Sequence, residues 1–115
     1  MKLYEIGKKT MNCPFCPMFK GGEEVIDIEP LNPVVPGHRL VIPREHVKDF
    51  SEDPAVSARV MEYAARLGKK MGDVNLITSK GKSATQTVFH LHLHLVPRRA
   101  GDDLALPWTG QGEKK

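Results

Sequence analysis

Three imidazoles, His90, His92 and His94, occupy alternate positions in the run Thr87-Val-Phe-His90-Leu-His92-Leu-His94-Leu-Val-Pro97. Three of the chain's five histidines thus fall within five residues. In an extended backbone successive side chains alternate faces, so the three imidazoles share one side. Phe89, Leu91, Leu93 and Leu95 share the other and suit a core. Packing gives no reason for three same-face imidazoles, which repel one another when charged. Two kinds of chemistry fit. His-x-His offers two imidazoles to one metal ion. Alternatively, one imidazole attacks an electrophile while its neighbours orient it.

A second group is Cys13-Pro-Phe-Cys16. Its spacing lets two thiolates bind one zinc ion. No second Cys pair exists, so a tetrahedral site must recruit histidines, with His38, His46 and the triplet as candidates. A redox dithiol is the rival, since thiolate chemistry of that kind uses the same spacing. It needs a preceding strand and a following helix. Here Lys8-Lys-Thr-Met-Asn12 precedes the pair, and Pro17 and Gly21-Gly22 leave no room for a full helix, which favours the metal.

The elements that must carry these groups follow from periodicity. Glu24 to Glu29 alternates and is β-branched, predicting a strand; Pro30, Pro33, Pro36 and Gly37 then force a loop. Arg39 to Pro43 is a second strand, Val74 to Ser79 a third and Thr87 to Val96 a long fourth, with a glycine-containing loop over Lys80 to Thr85. Ser51 or Asp53 caps a helix with Pro54 in its first turn. Val56, Val60, Ala64, Leu67 and Met71 form its apolar stripe, and Gly72 ends it. The expected fold is α+β, with mostly antiparallel strands and one main helix over about 53–71, because only one segment is long enough for a helical crossover.

The 115 residues make about one domain's worth of chain. The expected division is a lead-in over 1–12, a domain over 13–108 and a polar tail over 109–115. With 40% hydrophobic and 27% charged residues the chain is neither disordered nor membrane-spanning, and two cysteines exclude a disulfide scaffold. No signal peptide opens it, so a cytoplasmic location is expected. The net charge of +3 draws partly on Lys8, Lys9, Lys114 and Lys115 near the ends. With 6% aromatics, no dedicated nucleic-acid surface is evident.

Gln86-Thr-Val-Phe-His90-Leu-His92-Leu-His94-Leu-Val-Pro, Pro36-Gly-His38-Arg-Leu-Val-Ile-Pro-Arg-Glu-His46-Val and Cys13-x-x-Cys16, in that spacing, resemble the histidine triad (HIT) superfamily of nucleotide hydrolases and transferases. The chain is most similar to its small zinc-containing branch, which includes adenosine phosphoramidases. The resemblance implies about five antiparallel strands, a homodimer with a continuous sheet, and a nucleoside monophosphate pocket. It implies a nucleophilic His92, with His94 and His38 on the α-phosphate and Gln86 and Thr87 on the phosphate or leaving group. A structural zinc would be held by Cys13, Cys16, His46 and His90. Ser79 stands where many relatives have a phosphate-side asparagine, and Thr85 where glycine often precedes the glutamine. Glu29-Pro-Leu-Asn32-Pro lacks an aspartate at the usual ribose-binding spacing, with Asp27 and Glu29 nearby. Arg98, Arg99, Lys80 and Lys82 could touch polyphosphate or form a solvated rim. Two other readings compete with a hydrolase: a nucleotide-binding adaptor with little catalysis, and a metalloenzyme whose three triad imidazoles hold a catalytic ion.

Overall fold

A computed structural model describes residues 13–108; the expected lead-in and tail lie outside the described residues. Four strands form one antiparallel sheet: β1 (Val25–Ile28), β2 (Arg39–Pro43), β3 (Val74–Ile77) and β4 (Leu93–Pro97), in the order β1-β2-β4-β3. One α-helix, α1 (Pro54–Gly68), packs on the sheet, and short 3-10 turns span Cys16–Met18 and Lys82–Ala84. Among the described residues there are four strands rather than about five. No described helix is long and apolar enough to cross a membrane.

The alternation in β2 and β4 builds two cores. Val41, Leu91, Leu93 and Leu95 meet Val56, Val60 and Ala64 of α1 on one face of the sheet. Leu40 and Ile42 meet Cys13 and Phe15 on the other. Asp53 caps the helix, its carboxylate accepting from the Ala55 N–H at 3.1 Å, with Pro54 at the first position. Between Ser51 and Asp53, it is Asp53 that caps. The helix stops at Gly68 with Lys69 as its C-cap, four residues before Gly72.

The triad strand is shorter than its alternating sequence suggests, and the register explains why. Leu93 pairs with Val41 in β2, so continuing the ladder would bring Leu91 opposite Pro43. Proline has no N–H to offer. The Leu91 N–H instead donates to the Val47 carbonyl at 2.8 Å, and regular pairing ends. Alternation persists past that point, with Leu91 in the helix-side core and His90 fully buried on the opposite side. On the other flank, the Thr78 hydroxyl donates to the His92 carbonyl at 2.8 Å, doing for β3 what a ladder bond would do.

Candidate functional site

His90 and His92 receive opposite assignments from their backbone neighbours. His90 donates from Nε2 to the Pro43 carbonyl at 2.8 Å, so its Nδ1 carries the lone pair. That Nδ1 lies 3.3 Å from Cys13 Sγ, 3.7 Å from Cys16 Sγ and 3.2 Å from His46 Nδ1, while His46 Nδ1 lies 3.2 Å from Cys16 Sγ. The four donor atoms all fall within 4.8 Å of one another. In a tetrahedron with ordinary zinc bond lengths, nitrogens sit about 3.3 Å apart and nitrogen and sulfur about 3.6 Å. Two thiols and two imidazoles at these separations fit one zinc ion. Neither His92 nor His94 belongs to this cluster, and His38 is elsewhere.

His92 turns the other way. Its Nδ1–H donates to the His90 carbonyl at 2.8 Å, leaving Nε2 unprotonated. Phe15 from the cysteine knuckle packs edge-on against both rings, with centroids 5.7 Å from His90 and 5.2 Å from His92. Burial pushes the His92 imidazole below its ordinary value, against the His90 carbonyl, which raises it.

His94 is set by a relay. The Val34 N–H donates to His38 Nδ1 at 3.0 Å, so His38 carries its proton on Nε2 and donates to His94 Nδ1, also at 3.0 Å. His94 therefore presents a protonated Nε2 beside the bare Nε2 of His92. Gly37, just before His38, suits its position: it adopts φ +90°, and a Cβ there would lie 3.2 Å from Pro97 Cγ. Burial, then the neighbouring His92 and His38, hold His94 down to about 4; burial lowers His38.

A cleft of about 410 Å³ opens over these rings. His38, Ser79, Gln86, Thr87, His92 and His94 all line it. Gln86 is nevertheless engaged with the backbone: Nε2 donates to the carbonyls of Lys48 (2.6 Å) and Val88 (3.1 Å), and Oε1 accepts from the Gly81 N–H at 2.8 Å. Sequence reasoning did not single out Val34, Ile77 or Thr78, and no motif marks them. Asn32, noted only within a departure, lines the cleft. Asp27 lies on the helix side, bonded to Tyr63 and to Arg39 Nε at 2.9 Å. Arg98 is taken up by Asp102, Asn75 and the Leu104 carbonyl, and Arg99 lines a different hollow with Pro36 and Pro97.

The fold and its paired imidazoles define an α+β domain with a histidine-lined cleft beside a thiol-imidazole cluster. The chain belongs to the HIT family: the HIT domain profile matches residues 22–101. A HIT-like protein of Mycobacterium tuberculosis is 33% identical over 113 residues, covering 84% of this chain and 78% of that protein. Among solved structures, a HIT family hydrolase from Clostridium thermocellum is 30% identical with a TM-score of 0.70, covering 84% of this chain and 99% of that one. A zinc-bound histidine triad family protein from Mycobacterium smegmatis is 34% identical with a TM-score of 0.68, covering 84% and 81%.

Proposed function

We propose that residues 13–108 form a nucleotide hydrolase or nucleotidyl transferase acting at the α-phosphate of nucleoside phosphoramidates, dinucleoside polyphosphates or related conjugates. The observation that carries this reading is the tautomer contrast in the cleft. His92 offers a lone pair from Nε2, and His94 beside it offers a proton donor. A nucleophile next to a donor suits attack on a phosphoryl group. The His92 Nε2 bonds to phosphorus, and the bond to the leaving group breaks with its electron pair. The leaving group takes a proton from solvent. Water then attacks the phosphorus, the N–P bond breaks, and nucleoside monophosphate is released with His92 restored. His94 stabilises the phosphoryl oxygens and His38 holds it in the tautomer that donates from Nε2, with Ser79 and Thr87 closing the phosphate end, Gln86 bracing their loop through its backbone bonds and Thr87 aiding departure.

Zinc, when bound by Cys13, Cys16, His46 and His90, is structural: four protein donors leave no open position for substrate. These residues tie the knuckle and the Val47 loop to the catalytic segment. Cys13 and Cys16 are not joined in a disulfide, which suits the reducing cytoplasm. The protein acts as a homodimer, which light scattering on the purified chain tests. Intact mass of the protein mixed with a slow adenosine phosphoramidate tests the mechanism. A nucleotidyl adduct that maps to His92 is expected, and turnover of that substrate with no adduct on His92 under rapid quench would remove the reading. Tight nucleoside monophosphate binding without turnover would favour the adaptor instead.

A further inference from the structure

Thr85 stands in a conformation that its residue type resists. Its φ is +69°, in the left-handed region, where a β-branched side chain is strongly disfavoured and glycine or asparagine is normal. The turn dictates the conformation. The Thr85 N–H donates to the Lys82 carbonyl at 2.9 Å and the Gln86 N–H to the Gly81 carbonyl at 3.0 Å, closing the 3-10 turn Lys82–Ala84. Nothing in the fold rewards a threonine there. Its side chain is exposed and belongs to neither core cluster. Its hydroxyl donates only to the carbonyl of its own neighbour, Ala84. Thr85 does line the cleft, with Ser79 and Thr87. Strain that packing does not offset is a mark of function.

Building on the proposed reaction, we infer that Thr85 is a specificity-determining residue that selects the leaving group. The chemistry it favours follows from what the hydroxyl has left. The hydroxyl is bonded to the Ala84 carbonyl, and its oxygen keeps lone pairs with which to accept. Among the described residues, no lysine or arginine lines the cleft to hold a further phosphate. Arg98 and Arg99, the cations nearest in sequence to the triad, are engaged or face elsewhere. Thr85 thus accepts a hydrogen bond from a leaving group that carries an N–H or O–H donor.

The test compares two substrates of the same nucleoside: a phosphoramidate with a primary amine leaving group, and a p-nitrophenyl phosphate ester, which has no donor. The readout is the ratio of their kcat/KM values, with Tm measured on each variant. Thr85→Ser keeps the acceptor and is expected to hold the ratio within about twofold of wild type. Thr85→Gly is expected to lower the ratio by about tenfold, one hydrogen bond's worth. It should also raise Tm by a few degrees, because the left-handed strain is relieved. An unchanged ratio in Thr85→Gly, or a lowered Tm, would overturn the inference while leaving the hydrolase reading intact. If wild type turns over neither substrate, the hydrolase reading fails first and this inference falls with it.

Discussion

His90 and His92 are two residues apart, share one face of the chain and touch the same phenyl ring, yet they sit in chemically opposite places. His90 is fully buried, surrounded by two thiols and a second imidazole. His92 is half-buried and opens onto a cleft with His94. The difference lies in a single backbone partner. A carbonyl on Nε2 turns His90 Nδ1 toward the cysteines; a carbonyl on Nδ1 leaves His92 Nε2 toward the cleft. Tautomer, which no sequence letter encodes, separates the proposed ligand from the proposed nucleophile. Phe15 joins the two regions, so the knuckle that gathers the thiols also packs against His92.

The strongest way to break this contrast is to exchange the imidazoles' roles. His92→Asn is expected to cut turnover by about 10⁴-fold or more, since loss of a covalent nucleophile removes the reaction path itself. Metal content and Tm should stay near wild type, measured by elemental analysis and calorimetry on the same sample. Cys16→Ser should do the reverse. Zinc falls from one per chain to almost none, and Tm drops by more than about 10 °C, because metal-binding energy in a small domain is folding energy. Nucleoside monophosphate binding, measured by calorimetry well below the new Tm, should persist. Retained zinc in Cys16→Ser would return the triad to the reading in which His90, His92 and His94 hold the ion.

Acid should sharpen the contrast more gently. Burial, and then the facing His92 and His38, hold His94 to about 4, below its ordinary 6.5. Between those values the unfolded chain binds more protons than the folded one, so stability rises with pH across the window and is level above it. His94→Asn removes one such group. Its Tm should therefore fall less than wild type's between pH 6.5 and 4.5, by a few degrees, with zinc content in both followed by elemental analysis. Parallel Tm curves would mean that His94 is not held low.

Much of this could be read from the letters, for a physical reason. Strand alternation is a local property, so the same-face imidazoles and the leucine core at 91, 93 and 95 follow directly from period two. Cys-x-x-Cys spacing is likewise local. What escaped was set by contacts between distant segments. The early end of β4 depends on Pro43 lying opposite Leu91, a matter of register. The backbone bonds of Gln86 depend on Lys48, 38 residues away. Thr78 earns no notice in a sequence, yet its hydroxyl fastens the His92 carbonyl. Asp27 is close to the cleft in sequence, but strand pleating puts it opposite Val41 on the helix side.

The smallest expected effect tests whether the two regions are independent of the opposite layer. Helix α1 packs on the sheet face that carries Val41, Leu93 and Leu95, whereas the cluster and the cleft both lie on the other. Asp53→Ala removes the carboxylate that accepts from Ala55 N–H and costs about 1 kcal/mol. For a domain of this size that lowers Tm by roughly 5 °C. The sheet transmits the loss as global stability only, because no side chain of the cap reaches either site. Turnover per folded molecule and zinc per chain should therefore match wild type at 20 °C. If either falls in step with Tm, helix docking governs the far face, and the tautomer contrast is maintained by the whole sandwich instead of by the local carbonyls of Pro43 and His90.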